Sequence, residues 1–254
     1  MLFRSDGFGK FEFVGLNNFA LMASDALLWK SLGITATYTA LFVPIAFVAS
    51  LGLALLVRDR FPGVGAVRAA FFLPNVISLV VVGVLWQFLL TDKTGVVAQL
   101  GLDISWLGDP AFALPTLVLI SVWFLMGYQM LIFLAGLQDI PRELYDAATV
   151  DGSGAWGRFW HVTWPGLRPT SFFVLVTSMI NAITGLQAFD LVYVMTKGGP
   201  ANSTSTIVYY AYQQAFLYGR FGYAAAICGL VVAILLVLTG LLFALTRGGR
   251  FDED

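Results

Sequence analysis

The feature that most constrains this chain is a series of five long apolar stretches, each near the 20 residues or so that a helix needs to cross a bilayer. Four of the five contain no Asp, Glu, Lys, Arg or His. Stretches this long exclude membrane β-barrel strands, which alternate over about ten residues. We therefore predict an all-α integral membrane protein, a helical bundle with five transmembrane helices. The predicted spans are Gly33–Val57, Ala69–Leu90, Ala111–Leu137, Ser171–Met195 and Ala224–Leu245.

The composition of the 254 residues narrows the function classes. Hydrophobic residues make up 59% of the chain and charged residues 11%, whereas about a quarter of a soluble domain is charged. That balance excludes a soluble enzyme and a disordered protein. The net charge of -1 offers no bulk attraction to nucleic acid. A single cysteine, Cys228, and a single histidine, His161, exclude a disulfide framework and a Cys or His metal cluster.

Basic residues predict the orientation in the membrane. The loops after the first and third spans and the C-terminal tail are richer in arginine than the opposite side, which places the C-terminus in the cytoplasm. With five spans, residues 1–32 then lie outside. They contain no signal-peptide apolar run, so we expect a further membrane helix before them; a true five-helix protein is the alternative. The cytoplasmic arginines would be Arg58, Arg60, Arg68, Arg142, Arg158, Arg168, Arg247 and Arg250.

The chain carries no recognisable energy source of its own. Proton- and sodium-driven transporters bury ionisable residues in their spans, yet here only Asp190 lies within one, near its outer end. No phosphate-binding G-x-x-x-x-G-K-[ST] loop is present. Gly152, Gly154 and Gly157 spell G-x-G-x-x-G, but they follow a helical stretch rather than a strand, so we interpret them as a turn between short helices. Any ATPase site would belong to another chain.

The loop over residues 138–170 is the longest on the predicted cytoplasmic side, where connections of about 2 to 8 residues are usual. A helix is predicted to begin after Pro141, with Glu143 in its first turn. Asp151-Gly152 ends that helix, and Ser153 is placed to cap a second one. The second helix carries an aromatic stripe suited to the membrane interface. The stripe consists of Trp156, Phe159, Trp160 and Trp164.

Two interpretations of this loop stay open on the residues alone. It could be a docking surface for a partner chain, because the small side chains of Ala147 and Ala148 would let a partner approach closely. It could equally be a plain linker at the membrane interface.

A motif within the loop resembles the signature of permease subunits of binding-protein-dependent ATP-binding-cassette importers. That signature reads E-A-A, three residues, G, nine residues, I, one residue, L-P. Gly152 and Pro165 fall at the required spacings after Asp146-Ala147-Ala148. Asp146 stands for Glu, Val162 for Ile and Trp164 for Leu, and each departure keeps charge or apolarity.

Further segments resemble sugar permeases of the maltose-type family. The resemblance extends over nearly the whole chain, and it starts just after the point where the family's first helix would end. This strengthens the expectation of a missing first helix. The segments are residues 13–19 (FVGLNNF), 71–74 (FFLP), 135–141 (AGLQDIP) and 189–200 (FDLVYVMTKGGP).

The resemblance implies how the protein would work. This chain would pair with a second permease subunit in a bacterial or archaeal cell membrane, surrounded by lipid. An ATPase subunit dimer, which would hold ATP and Mg²⁺, would dock below, so this chain needs no cofactor. An extracytoplasmic solute-binding protein would deliver a sugar above. The loop over residues 143–154 would form the coupling helix that docks on the ATPase. Its docking residues would be Glu143, Asp146, Ala147, Ala148, Asp151, Gly152 and Ser153.

The resemblance also implies one transmembrane permease domain over residues 1–254. Its parts are the outer segment 1–32, three spans in 33–137, the coupling loop 138–170, and the last two spans with the tail in 171–254.

Polar residues inside the spans are candidates for a solute pathway, because polar side chains facing lipid are costly. Asn181 and Thr184 share a helix face, whereas Asn181 and Gln187 would lie about 120° apart on a continuous helix. Interhelical hydrogen bonding is the alternative role. A self-sufficient channel that needs no ATP is the alternative function. The pathway candidates are Asn181, Thr184, Gln187, Asp190, Tyr128 and Gln129.

Overall fold

Long helices dominate the part of the chain that the computed structural model describes, which is residues 1–5, 11–59, 61–92, 94–101, 104–185 and 187–245. The only strands in these residues are β1 and β2, an antiparallel pair that the apolar pattern did not predict. The strands are β1 (Phe3–Ser5) and β2 (Phe11–Phe13). The first helices are α1 (Asn17–Ser24), α2 (Ala26–Leu56), α3 (Val64–Phe72), α4 (Leu79–Leu89), α5 (Val96–Gln99) and α6 (Pro110–Asp139). The later helices are α7 (Arg142–Val150), α8 (Ala155–Arg158), α9 (Trp164–Gly166), α10 (Arg168–Thr184), α11 (Ala188–Leu191), α12 (Ile207–Tyr212) and α13 (Phe221–Leu245).

Four helical segments in the described residues are long and apolar enough to cross a membrane, and a broken helix pair makes a fifth candidate. The predicted all-α membrane fold is therefore confirmed, with five spans when the broken pair counts as one. The four segments are Ala26–Leu56, Pro110–Asp139, Arg168–Thr196 and Phe221–Ala244, and the broken pair is Val64–Val76 with Leu79–Leu89.

The first span begins at Ala26 rather than at the predicted Gly33. Asp25 caps it, because its Oδ1 accepts the backbone N–H groups of Leu27 at 3.0 Å and Leu28 at 3.1 Å. A carboxylate at this position satisfies donors that the first turn of a helix leaves unpaired.

The second span is interrupted, contrary to the prediction of one helix over Ala69–Leu90. After α3, the chain forms a 3₁₀ turn over Leu73–Val76, and Ile77 is extended with φ -86° and ψ 146°. Pro74 lies in that turn; its ring removes a backbone donor and so weakens helical bonding there.

The fourth span is also not the single helix predicted over Ser171–Met195. The helix α10 ends at Thr184, and Gly185 follows with φ +68°. Glycine accepts this left-handed conformation without steric cost, and a Cβ at Gly185 would lie 3.3 Å from the Val208 side chain. The chain resumes as α11 and continues into a π-helical turn over Val192–Thr196.

The described chain divides into two compact units. The first comprises Met1–Phe42, Ser78–Ser121 and Met179–Thr239. Within it, Tyr38 donates a hydrogen bond to Ser121 Oγ at 2.8 Å, and the Ile207 N–H donates to Thr35 Oγ1 at 2.9 Å. Its core members include Met22, Leu28, Ile183, Ile207, Tyr210 and Ile227.

The Asp25 carboxylate links three helices of this unit by hydrogen bonds, namely α2, α12 and α13. Its Oδ2 accepts the Tyr210 hydroxyl at 2.7 Å and the Tyr223 hydroxyl at 2.5 Å. Burial opposes the charge, but these two bonds and those from Leu28 and Leu27 outweigh it, so the pKa of Asp25 lies below its usual range.

Because the charged form of Asp25 is favoured in the folded state, its contribution to stability is present above its ordinary pKa of about 3.9 and is lost as the pH falls through the lowered one. We expect Asp25→Asn to lower the thermal unfolding temperature in detergent at pH 6, and the difference from the unaltered protein to shrink as the pH falls below the ordinary pKa of about 3.9. Thermal scans between pH 7 and pH 3 check this. An equal difference at both ends of the range would contradict it.

The second unit comprises Val43–Ile77, Val122–Ser178 and Gly240–Asp254, of which residues 60 and 246–254 lie outside the described part. Its helices approach closely at Gly127, where a Cβ would overlap the Phe71 carbonyl. Small residues at helix contacts allow such close packing in membrane proteins. The buried core includes Phe47, Leu51, Met130, Phe133, Leu134, Leu137, Leu167 and Val174.

Gly127→Ala is expected to destabilise the protein by about 1–3 kcal/mol, because the new methyl group must displace the backbone at Phe71. The matched control is Gly52→Ala in α2, where a Cβ meets nothing within 4 Å. That variant should be neutral or slightly stabilising, since alanine is the better helix former. Thermal unfolding in detergent measures both; equal effects would show that the contact at Phe71 does not matter.

Candidate functional site

The predicted coupling helix is α7, which begins directly after Pro141 and has Glu143 in its first turn. Only Tyr145 and Ala148 are half-buried, and both pack against the core of their unit. The other seven residues of this nine-residue helix are exposed. The helix therefore lies on the surface of its unit, with one narrow face inward.

A Schellman motif ends α7, as the Asp151-Gly152 pair predicts. The Ser153 N–H donates to the Ala148 carbonyl at 2.9 Å, and the Gly152 N–H donates to the Thr149 carbonyl at 3.1 Å. Gly152 has φ +78°, the left-handed conformation that this motif needs from its glycine. The signature glycine is thus required for backbone geometry, since a Cβ there meets nothing within 4 Å.

The prediction that Ser153 caps the next helix is wrong. Gly154, not Ser153, stands before α8, and no side chain caps that end. The Ser153 backbone is already used to close α7, which moves the start of the next helix along the chain. Gly152 and Gly154 do lie between two short helices, as predicted, and Gly157 lies within the second.

Gly152→Ala is expected to loosen the end of α7 by about 1 kcal/mol, because alanine resists the left-handed conformation. Amide hydrogen exchange over residues 142–153 should then accelerate about fivefold. Gly154→Ala is the matched control, since Gly154 has φ -67° and open space around its Cβ position. Equal acceleration in both variants would contradict the role given to Gly152.

The predicted docking residues do not all share the outer surface. Ala148 faces the core, so the small face predicted from Ala147 and Ala148 is divided, and Ser153 is half-buried. Two apolar side chains that were not among the predicted docking residues are also exposed, Leu144 at 51% and Val150 at 87%. The sequence did contain a sign of this exposure. An apolar residue in a helix as short as α7 has few core side chains to pack against. The exposed docking candidates are Glu143, Asp146, Ala147, Asp151 and Gly152.

The aromatic stripe after α7 forms as predicted. The chain runs through α8, a π-helical turn over Phe159–Thr163, and α9. Trp156 stacks on Phe159 at 5.9 Å and meets Trp160 edge to face at 5.8 Å between ring centroids. Trp156 is 73% exposed, which fits rings at a membrane interface.

The candidate pathway residues fall in both units. Tyr128 and Gln129 lie in the second, where Tyr128 is exposed and Gln129 is 2% exposed. Gln129 accepts the Ser50 hydroxyl at 3.1 Å and donates to Ser178 Oγ at 2.6 Å. Its amide therefore links α2, α6 and α10 by hydrogen bonds. These contacts fit the alternative role given above, which is interhelical hydrogen bonding.

The other candidates surround the break in the fourth span. Asn181 and Thr184 lie in the last turn of α10, and Thr184 donates back to the Ile180 carbonyl at 2.7 Å. Beyond Gly185, Gln187 has a buried Oε1 with no hydrogen-bond partner among the described residues. The break invalidates the angle expected between Asn181 and Gln187. Irregular backbone at membrane depth is tolerated only inside protein or beside water, so this stretch does not face lipid.

A chain of aromatic rings that the sequence analysis did not single out adjoins the break. Phe189 stacks on Tyr193 at 5.8 Å, and Tyr193 meets Tyr212 edge to face at 5.5 Å between centroids. Tyr212 continues to Phe216 at 5.1 Å. The four-residue spacing of Phe189 and Tyr193 was visible in the sequence. Their contact with Tyr212 of α12 was not, because it joins separate elements.

The family described as binding-protein-dependent transport system inner membrane component matches residues 51–248. The chain belongs to this family. The predicted permease subunit of an ATP-driven importer is thereby confirmed, because the family consists of multi-pass inner-membrane subunits that depend on a binding protein. The ATPase of such importers is a separate subunit, as predicted. Membership also decides against the self-sufficient channel.

Relatives and a solved structure agree with this assignment. The permease is 34% identical to the sulfoquinovosyl glycerol transport system permease protein SmoG of Agrobacterium fabrum, over 93% of this chain and 77% of that protein. It is 36% identical to the lactose transport system permease protein LacF of Rhizobium radiobacter, over 93% of this chain and 82% of that one.

The fold of the permease also resembles that of a bacterial alginate ABC transporter, solved in complex with an alginate pentasaccharide-bound periplasmic protein. The TM-score is 0.82 at 23% identity, over 92% of this chain and 83% of that one. At this identity the likeness shows the ABC permease fold.

Proposed function

We propose that this permease forms half of a pathway for a sugar and that α7 docks on a separate ATPase subunit. The observation that carries the docking role is the exposure of α7. Its outer face combines acidic Glu143 with the apolar side chains of Leu144 and Val150. A short amphipathic helix that leaves such side chains exposed matches the helix-in-groove mode of recognition.

The proposal includes the remaining partners. A second permease subunit would complete the pathway, an ATPase pair would hold ATP and Mg²⁺, and this chain would hold no cofactor. The solute-binding protein would meet the permease on the outer side. The density of arginine around α7 supports a cytoplasmic position for this helix and for the C-terminus. The tail arginines Arg247 and Arg250, like Arg60, lie outside the described residues.

A sugar is the solute class that the polar groups at the break support. Sugars need neutral hydrogen-bond partners and flat apolar surfaces. Asn181 and Gln187 supply amides, and the rings from Phe189 to Phe216 supply apolar faces with tyrosine hydroxyls at their edges. The two relatives are named as transport permeases for sulfoquinovosyl glycerol and for lactose, and each of these solutes is a carbohydrate or contains one. We retain Thr184, Asp190 and Tyr128 as pathway candidates.

Gly152→Arg tests the docking role, because it adds strain and bulk at the end of α7. We expect the ATPase subunit to stop co-eluting with the purified permease pair. The matched control is Gly101→Arg, another positive-φ glycine in open space, in the loop predicted to lie outside. Retained ATPase binding by Gly152→Arg, or its equal loss in the control, would contradict the proposal.

The sugar assignment is tested in proteoliposomes that contain the assembled transporter. Binding proteins loaded with different solutes are added, and ATP hydrolysis is measured. We expect sugar-loaded binding protein to stimulate hydrolysis and Gln187→Leu to lower that stimulation about tenfold, since an amide used by the solute would be missing. Stimulation only by amino-acid- or ion-loaded binding protein would overturn the sugar assignment.

A further inference from the structure

Tyr145 is the residue through which α7 is mainly attached to its unit. Of the two half-buried residues of this helix, Ala148 contributes a single methyl group, whereas Tyr145 contributes a ring and a hydroxyl. In the described residues, a further side-chain hydrogen bond links the exposed surface of α7 to α8, since Arg158 Nη1 donates to Thr149 Oγ1 at 3.3 Å. The position of α7 therefore depends on what Tyr145 contacts.

The Tyr145 hydroxyl makes two hydrogen bonds with different parts of the chain. It accepts from Arg58 Nη1 at 3.2 Å and shares a hydrogen bond of 3.0 Å with Thr163 Oγ1. The guanidinium carbon of Arg58 also lies 4.4 Å from the centroid of the Tyr145 ring, within the range of a cation–π interaction. One side chain thus has contacts of two kinds with Arg58.

Both partners lie at the ends of membrane-spanning segments. Arg58 lies two residues after the end of α2, and the Arg68 guanidinium holds the backbone there by donating to the Val57 carbonyl at 2.6 Å. Thr163 is the last residue of the π-helical turn that leads through α9 into α10, and it is 3% exposed. A displacement of Tyr145 therefore acts on α2 and on the approach to α10 at once.

We propose that Tyr145 is a positioning residue that transmits the movement of α7 to these two segments. We name Tyr145, Arg58 and Thr163 the Tyr145 junction. The ring contact with Arg58 is non-directional and tolerates sliding, whereas two hydrogen bonds to one oxygen are directional. The hydroxyl is thus the part of the side chain that makes α2 and the segment before α10 follow the helix. This inference rests on the proposed docking of α7.

Tyr145→Phe tests the junction, because it removes the hydroxyl and keeps the ring over Arg58. In proteoliposomes with the assembled transporter, we expect ATPase co-elution to stay within about twofold of the unaltered protein. The number of solute molecules imported per ATP hydrolysed should fall at least about fivefold, because the hydroxyl loses two hydrogen bonds and about fivefold is the equilibrium factor that corresponds to one of them. A residue that only stabilised the fold would change yield and thermal stability without changing this ratio.

Matched variants separate the hydroxyl contact from side-chain volume. Thr163→Val removes the partner hydroxyl at nearly constant volume and should lower the ratio, though by less than Tyr145→Phe does, because the hydrogen bond from Arg58 remains. Thr163→Ser keeps a hydroxyl and should leave the number of solute molecules imported per ATP the same as in the unaltered protein. Tyr218→Phe, at a tyrosine that is 61% exposed, is the control for loss of a phenol elsewhere and should leave the ratio unchanged.

The outcomes distinguish this inference from the proposed function. An unchanged import ratio in Tyr145→Phe would overturn the junction, and so would a loss of ATPase binding in that variant, because the hydroxyl would then be shaping the docking surface. If the unaltered chain bound no ATPase through α7, the proposed function itself would fail, and the junction would fail with it.

Discussion

The need to pair every backbone N–H and C=O group in the absence of water governs this structure. It explains why the membrane-spanning segments of the described chain are helices, and it gives meaning to the two places where a predicted span is interrupted. Breaking a helix inside a bilayer exposes polar backbone, so a break persists only where protein or water covers it. At Gly185 this chain covers the interruption, since Gly185 and Ala188 are buried. Val76 and Ile77 after Pro74 are exposed, so that interruption would need cover from a partner chain or water.

The break at Gly185 brings several otherwise costly features together. Gln187 has a buried, unpaired amide oxygen, Asp190 is a carboxylic acid within a span, and the aromatic chain begins at Phe189. Each alone has an ordinary explanation in helix packing. Together they place polar and aromatic groups around one break without a strong charge cluster, and this combination suits a neutral hydroxylated solute better than an ion.

The proposed docking role sets a second physical requirement for α7, which would have to bind a partner chain while remaining attached to its own unit. It has little core to bury, and its outer surface retains exposed apolar side chains. The Schellman motif at Gly152 ends it sharply, so that the following aromatic stripe starts from a defined position. The inward face is reduced to Tyr145 and Ala148, which concentrates its attachment in a few directional contacts.

Particular residues show how far the sequence could predict the fold and the site. The apolar runs predicted the spans, and Asp146 to Pro165 predicted the docking-type loop and the family, because both signals are local in the chain. Gly152 was predicted to end α7, and it does. The start of the first span at Ala26 was missed although its cap, Asp25, is local in the chain, and the start of α8 after Gly154 was missed because the Ser153 backbone already closes α7.

The role of a polar residue within a span was beyond the reach of the sequence. Gln129 and Gln187 are the same residue type in similar apolar surroundings, yet Gln129 has both ends of its amide satisfied by serines, whereas Gln187 has a buried oxygen that lacks a partner. Hydropathy and motif spacing, which act along the chain, were enough to determine the membrane helices and the transporter family. Only the tertiary structure decided which helices break and which side chains meet, as at Tyr145, Arg58 and Thr163, because those contacts join residues that are distant in the chain.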